Sequence, residues 1–197
     1  MSNKRVLNVG GNSKQIPLPP AYAGYEHLLL DIQPGDSVDI VCDARQLTTL
    51  EAAQVDAVYC SHNLEHYHRH EVPRVLAGFQ HVLKPGGFAH VIVPDLQAVM
   101  QQAVERKLDV EDTLYQSAAG PITVLDVLYG YGEEIERTGQ DFYAHKTGFT
   151  PRSLELALWN AGFRKIFIGT ERLQVEALAF KTAPDAWARE AFGLPES

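Results

Sequence analysis

The sequence D-A-V-Y-C-S-H-N-L-E-H at residues 56–66 continues through a helical pattern to L-K-P-G-G-F-A-H-V-I-V-P-D at residues 83–95, and this stretch decides the fold. Both apolar runs are typical of buried strands, and a glycine turn precedes the second. Two buried strands joined by a helix predict a right-handed crossover in a parallel sheet. Because ligands of such sheets bind beyond the carboxyl ends of the strands, we expect a site at the loop 61–66.

The other apolar runs extend this unit to a seven-stranded sheet. Strands are predicted at 5–9, 26–31, 37–43, 55–60, 88–95, 163–169 and 173–181. Helices are predicted at 44–53, 72–83, 96–107 and 151–161. The prolines between residues 15 and 24 argue against a long helix after the first strand. The predicted fold class is therefore α/β, Rossmann-like, with a mostly parallel sheet and helices on both faces.

The length predicts a single domain spanning residues 1–197. Between 109 and 148 the strand and helix pattern breaks into glycines, polar residues and aromatics. We expect this segment to be an insertion of short helices and loops that acts as a lid. The aromatic residues that suggest a lid are Tyr115, Tyr129, Tyr131, Phe142 and Tyr143.

The composition narrows the partners and the compartment. Seventeen basic and twenty-five acidic residues give a net charge of -8, and no basic cluster is dense, so nucleic acid is not an expected partner. The first residues lack the apolar run of a signal peptide, and no run has membrane-spanning length. Cys42 and Cys60 each end an apolar run, which favours buried reduced thiols and a cytoplasmic location.

The ends of the first three strands suggest a nucleoside site. Gly10 and Gly11 follow the first strand, and Asp31 ends the second about twenty residues on, where a carboxylate can accept from ribose hydroxyls. The full G-x-G-x-x-G pattern is absent, which disfavours a dinucleotide. Asp31 is alternatively a turn residue, and Asp43 is alternatively the N-cap of the next helix. Both interpretations stay open at this point.

The run His62-Asn63-Leu64-Glu65-His66 matches the H-x-x-E-H signature of inverted zinc proteases. In those enzymes the paired histidines lie on one helix face, whereas this run directly follows a buried strand. No distant third ligand is marked in the sequence. We therefore expect no metal and interpret these histidines as loop and helix-start residues, with Glu65 near a helix N-terminus.

The stretch 56–95 resembles the class I S-adenosylmethionine-dependent methyltransferases, and within them the compact bacterial branch often called type 11. It looks like the fourth strand of that family, the helix after it and the fifth strand. A second run, from L-Y-G at 128–130 through H-K-T-G-F-T at 145–150 to A-G-F at 161–163, is similar to the C-terminal half of the same branch. Together the two matches cover most of the chain from Arg5 to Lys181.

The resemblance implies S-adenosyl-L-methionine as cofactor and assigns its site. The first motif is the end of the first strand, Asp31 binds the ribose, Asp43 and Ala44 flank the adenine, and the loop after the fourth strand closes over the methionine portion. The residues that it assigns to the cofactor are Asn8, Gly10, Gly11, Asp31, Asp43, Ala44, Ser61 and His62. The first motif departs from the family at Asn8, Asn12 and Lys14, where an acidic residue and two glycines are usual.

We expect a methyltransferase that acts on a small-molecule or sugar-like acceptor. If the acceptor is a hydroxyl, a base near neutral pKa would help, and His62, His66 and His145 are the available imidazoles. His145, where the insertion meets the core, is the predicted catalytic residue, although a surface or capping role is the alternative. Two other hypotheses stay open. One is a catalytically inactive binding module of the same fold, and the other is a zinc hydrolase built on residues 62–66.

Overall fold

The structure is a computed structural model that describes residues 4–11, 13–117 and 120–195, so Asn12 of the predicted first motif lies outside the described residues. The strands are β1 (Arg5–Val9), β2 (Glu26–Asp31), β3 (Ile40–Val41), β4 (Val55–Ser61), β5 (Leu83–Pro94), β6 (Thr113–Ser117), β7 (Gly120–Thr123), β8 (Lys165–Glu171) and β9 (Gln174–Phe180). The α-helices are α1 (Val72–Val82), α2 (Leu96–Arg106), α3 (Val124–Tyr129), α4 (Gly132–Thr138), α5 (Pro151–Asn160) and α6 (Ala186–Ala191). Short 3-10 helices cover Pro20–Tyr22, Ala44–Thr49, Leu64–His66 and Asp141–Tyr143.

Seven strands form one sheet in the order β3-β2-β1-β4-β5-β9-β8, while β6 and β7 pair in a separate hairpin. The strands from β3 to β5 are parallel, and β9 runs antiparallel between β5 and β8. This topology confirms the predicted Rossmann-like, mostly parallel sheet. The order reverses between β1 and β4, and the carboxyl ends of such a pair form the switch point where open α/β sheets bind ligands.

The two faces of the sheet carry unequal layers. α1, α5 and the 3-10 helix Ala44–Thr49 cover one face through a large apolar cluster that includes Phe79 and Leu158. The other face holds a smaller cluster around Tyr22 and Phe88, to which α6 contributes. Helices therefore lie on both faces, as predicted. No helix in the described part of the chain is long and apolar enough to cross a membrane.

The helix α1 shows how the sequence builds the larger layer. Its residues Val72, Val75 and Phe79 recur at helical spacing and are buried against the sheet. Gly78 lets the helix approach its neighbour closely, since a Cβ there would lie 2.6 Å from the Cβ of Leu47. The large core thus depends on both the apolar stripe and this one small residue.

Two predicted elements near the site are shorter than the sequence suggested. The third strand, predicted at 37–43, is only Ile40–Val41, because the carboxylate of Asp39 accepts a 2.7 Å hydrogen bond from the amide of Leu29. The predicted helix 44–53 is a 3-10 helix, Ala44–Thr49. There the hydroxyl of Thr49 donates to the carbonyl of Gln46 at 2.8 Å, a side-chain bond that competes with α-helical pairing.

Two further predictions need correction. The insertion 109–148 was expected to hold only helices and loops, but it begins with the β6–β7 hairpin, whose Leu114 packs in a separate cluster with Val99 and Val127. The glycine turn at 85–87 lies inside β5. Val55 pairs with Leu83, while Ala57 already pairs with Phe88, so the additional residues bulge out of the ladder.

Candidate active site

A first cleft of about 190 Å³ opens at the carboxyl ends of β1 and β2, beside the start of the 3-10 helix Ala44–Thr49. The predicted cofactor residues that line it are Gly10, Asp31, Asp43, Ala44 and His62. Asn8, Gly11 and Ser61 are outside its lining. The insertion reaches the same cleft through Phe142, Tyr143 and Lys146.

Gly10 forms a close contact that no other residue could make. Its φ is +78°, a left-handed conformation that favours glycine, and its amide donates to the carbonyl of Leu30 at 2.9 Å. A Cβ at this position would lie 2.1 Å from the side-chain nitrogen of Asn63. The hydroxyl of Tyr67 donates to Asn63 at 3.2 Å and holds that amide in place. This part of the cleft is therefore formed by the side chain of Asn63 packed directly against the backbone of Gly10.

Asn8 supports the loop from beneath instead of facing the cleft. Its side chain is buried, and its amide nitrogen lies 3.3 Å from Nε2 of His27 on β2. A Cβ at Gly11 would lie 2.4 Å from the same Asn8 nitrogen, so this glycine accommodates the asparagine. Lys14, a second departure from the family pattern, donates to Asp39 at 2.8 Å.

Asp31 serves the turn after β2 and also lines the cleft. Its Oδ1 accepts a 2.8 Å hydrogen bond from the amide of Gln33, so the turn interpretation is correct. Partial burial raises the pKa of Asp31, while the backbone amides of Gln33 and Ile32 oppose that shift. The hydrogen bond to Gln33 therefore fixes the orientation of a carboxylate that also lines the cleft.

Asp43 is the N-cap of the 3-10 helix, as the alternative interpretation expected. It accepts a 2.9 Å hydrogen bond from the amide of Arg45, whose guanidinium also pairs with Asp43 and with Glu71. Burial alone would raise the pKa of Asp43, but the hydrogen bonds and charge of Arg45 lower it below its ordinary value. This carboxylate is therefore ionised and held rigidly at the rim of the cleft.

A second cleft, of about 590 Å³, lies beyond the end of β5 and is formed largely by the insertion. Its lining includes Tyr115, Asp126, Tyr131 and His145 from that segment. His62 lines both clefts and separates them. Its φ of 49° is uncommon for a residue other than glycine, which marks the loop after β4 as a constrained point.

Glu65, His66 and His145 form a cluster between the two clefts. One potential ligand atom from each lies within 4.8 Å of one from each of the others. The rings of His66 and His145 are 4.9 Å apart, centroid to centroid. Sequence reasoning found the spacing at 62–66 but missed the third member, because His145 arrives from the far end of the insertion. The only local signal was a histidine at the point where that insertion rejoins the core.

Backbone hydrogen bonds hold this cluster together. The amides of Lys146 and Thr147 both donate to the carbonyl of Glu65, at 2.8 and 3.1 Å. The amide of His145 donates to the carbonyl of Tyr129 at 3.0 Å. The end of the insertion is thus attached directly to the loop after β4.

The charges near the cluster are unevenly exposed. Glu65 is 1% exposed, whereas the side chain of His62, whose Nδ1 lies 3.5 Å from Oε1 of Glu65, is 51% exposed. Burial alone would lower the pKa of His62, but the Glu65 carboxylate raises it. Burial alone would raise the pKa of Glu65, and His62 and His66 lower it. Burial also lowers the pKa of His66.

The sheet order and the clefts at its switch point define the class I methyltransferase fold. A family model described as a methyltransferase domain matches residues 7–91. No curated protein was found to match the sequence. This match covers the first strands of the sheet and less than half of the chain, and the solved structures described below share the whole fold.

Solved structures share this fold at low sequence identity. An S-adenosylmethionine-dependent methyltransferase from Archaeoglobus fulgidus is 16% identical, with a TM-score of 0.56 over 91% of this chain and 86% of that one. One from Methanosarcina mazei is 18% identical, with a TM-score of 0.55 over 92% and 94%. The 1,6-didemethyltoxoflavin-N1-methyltransferase of Burkholderia thailandensis, solved with 1,6-didemethyltoxoflavin and S-adenosylhomocysteine, is 16% identical, with a TM-score of 0.53 over 92% and 72%.

Proposed function

We propose that this protein transfers a methyl group from S-adenosylmethionine to a small molecule, with the cofactor in the first cleft and the acceptor in the second. The observation that carries the proposal is that both clefts share His62 at the switch point of the sheet. A methyl donor and its acceptor must meet in line at one place. Two adjoining clefts that share one lining residue support such an arrangement.

The first cleft suits the nucleoside part of the cofactor. Asp31, Asp43 and Ala44 all line this cleft, where Asp31 would accept from ribose hydroxyls and the other two would flank the adenine. At about 190 Å³ the cleft is smaller than the roughly 300–1,000 Å³ of most ligand pockets. The methionine part would therefore extend past Gly10 toward His62 and the second cleft.

The second cleft suits a polar acceptor with an apolar side. Its volume of about 590 Å³ lies inside the ordinary range for small-molecule sites. Tyr115 and Ile122 offer apolar surface, while Gln102, Gln116 and Gln174 offer hydrogen-bond partners. This mixture supports a small-molecule acceptor, including a sugar-like one, and residues 109–148 would act as its lid within one domain, 1–197.

The residues at the meeting point have simple roles. When bound, S-adenosylmethionine supplies a sulfonium methyl whose transfer leaves a neutral thioether. Nδ1 of His145 lies 2.8 Å from the carbonyl of Val127, and because a carbonyl only accepts, this nitrogen donates its proton. Nε2 of neutral His145 then carries a lone pair, so it would accept the proton of an acceptor hydroxyl.

The cofactor assignment is tested by titrating S-adenosylhomocysteine into the purified protein by calorimetry. Asp31→Ala should weaken binding at least tenfold, since charge-assisted hydrogen bonds contribute about 1.5–3 kcal/mol. Asp36→Ala, which changes an exposed carboxylate in the turn after β2, is the matched control and should bind as the wild type does. Equal binding by all three proteins would remove Asp31 from the site.

An inactive binding module is the second candidate, and the first motif favours it. The loop lacks the usual acidic residue at position 8 and the usual glycines at positions 12 and 14. Asn8 pairs with His27 instead, and Lys14 pairs with Asp39. A folded wild type that fails to bind S-adenosylhomocysteine at millimolar concentration would establish this module instead of the enzyme. We place the protein in the cytoplasm, a proposal supported by the free thiols of Cys42 and Cys60.

A further inference from the structure

The buried carboxylate of Glu65 needs a partner that the surrounding protein does not provide. Within residues 4–11, 13–117 and 120–195, neither of its oxygens has a hydrogen-bond partner. Its one recorded ion-pair contact is with Nδ1 of the half-exposed His62, 3.5 Å from Oε1, and that ring is charged only when protonated. A buried carboxylate without hydrogen bonds is costly, and proteins normally pair such a group or bind a metal with it. The feature therefore points to a cation.

The two neighbouring histidines are arranged as metal ligands are. Nδ1 of His66 lies 3.2 Å from the carbonyl of Ala144, and Nδ1 of His145 lies 2.8 Å from that of Val127. Both rings therefore donate their Nδ1 protons to backbone carbonyls, which leaves each Nε2 with a lone pair. Metal-bound histidines usually make this second hydrogen bond, because it fixes the tautomer and the ring orientation.

We propose that Glu65, His66 and His145 form a binding site for a divalent transition metal of the zinc type. Two imidazoles and one carboxylate are the donors of many catalytic zinc and iron(II) sites, which keep an open position for water or substrate. The candidate ligand atoms lie within 4.8 Å of one another. Zinc bonds to such donors are about 2.0–2.2 Å long, so atoms as far apart as this limit would move closer together on binding.

The position of His145 gives this site access to the second cleft. His145 lines that cleft, His66 lines the first cleft and Glu65 is buried, so an open coordination position would lie where the two clefts meet. A metal there would polarise an acceptor hydroxyl and favour its deprotonation. When a metal is bound, Nε2 of His145 is a ligand and cannot accept a proton. In the metal-loaded protein the metal would therefore activate the acceptor hydroxyl in place of His145. Metal binding itself does not depend on the methyltransferase proposal.

The test is a zinc titration of the full chain after treatment with a chelator, read by competition with a chromophoric chelator. The wild type should bind one zinc ion, and His66→Ala and His145→Ala should each weaken binding at least about 100-fold, more than loss of a supporting residue does. The matched control is the double variant His68→Ala/His70→Ala, which removes an exposed, stacked histidine pair next to the cluster. It should bind zinc as the wild type does.

Cobalt(II) supplies a second measurement that reports the ligands. Visible absorption of the cobalt-loaded wild type should change in Glu65→Gln, which keeps the size of the side chain but removes its charge. Circular dichroism checks that each variant is folded, and His66→Gln replaces any alanine variant that is not. The proposal is overturned by a wild type without stoichiometric binding, by folded cluster variants that bind as the wild type does, or by loss of binding in the control pair. None of these outcomes depends on cofactor binding.

Discussion

The two clefts are formed in different ways. Gly10, Asp31 and Asp43 of the first cleft lie at or just beyond the carboxyl ends of β1, β2 and β3, so the order of the sheet brings them together. The second cleft takes most of its lining from the insertion, whose position depends on packing against α2. A site at strand ends can therefore be found from local patterns. A site formed by an insertion cannot, because its contacts are set by tertiary packing.

The largest effect is expected from Gly10→Ala, which should damage the first cleft. The new Cβ would overlap the side chain of Asn63, and a left-handed φ costs about 1–2 kcal/mol for alanine. We expect S-adenosylhomocysteine binding to be lost and the free energy of unfolding to fall by more than 2 kcal/mol. Calorimetry and denaturant titration measure the two effects.

Gly24→Ala is the matched control for that variant. Gly24 also has a positive φ, 83°, but among the described residues nothing lies within 4 Å of a Cβ built there. The free energy of unfolding of this variant should fall only by the cost of the left-handed backbone, about 1–2 kcal/mol, and its affinity for S-adenosylhomocysteine should be unchanged. Equal losses of stability and affinity in the two variants would mean that contact with Asn63 is unimportant.

A smaller effect, with a defined pH dependence, is expected from Asp43→Asn. The folded pKa of Asp43 lies below its unfolded value of about 3.9, so its charge stabilises the fold above that pH. This stabilisation is lost as the pH falls through the folded pKa. Asparagine can still cap the helix, so the variant should be less stable than the wild type at pH 7 by about 0.5–1 kcal/mol through loss of the ion pair with Arg45, and the difference should shrink in acid. Urea titrations from pH 7 to 3 measure it, and a constant difference would contradict the ion pair.

The smallest effect tests whether the insertion contributes to the first cleft. Tyr143→Ala removes an aromatic ring from its lining, so S-adenosylhomocysteine should bind about fivefold more weakly, the equivalent of about 1 kcal/mol. Tyr131→Ala, which changes the lining of the second cleft alone, should leave that affinity unchanged. The opposite ranking in calorimetry would reverse the assignment of the two clefts.

Strand periodicity explains which predicted residues line the first cleft. Side chains alternate between the faces of a strand, so Asn8 inside β1 points to a sheet face and packs beside His27, while Gly10 beyond the strand reaches the cleft. This part of the site could be predicted from the sequence. The predicted roles of these residues in cofactor binding stay predictions, as does the catalytic role of His145.

The meeting of Glu65, His66 and His145 could not be predicted in the same way. The contact depends on amides at 146 and 147 that donate to the carbonyl of Glu65, and no periodic pattern marks such a bond. The β6–β7 hairpin was missed for a similar reason. Among its described residues one is deeply buried, Leu114, which packs on α2 and α3 and not on the main sheet. The alternation of buried and exposed residues in the hairpin is therefore short and weak.

The way the insertion is attached also sets which part of it can open. α4 and the 3-10 helix Asp141–Tyr143 bury no residue. The segment 132–143 is anchored at both ends, by the amide of Gly132 on Asp126 and by that of His145 on Tyr129. Segments with few buried contacts open at low free energy, so local unfolding should begin here. Amide hydrogen exchange should then be fastest in the segment 132–143, which reaches the first cleft. The rest of the insertion, which lines the second cleft, should stay protected.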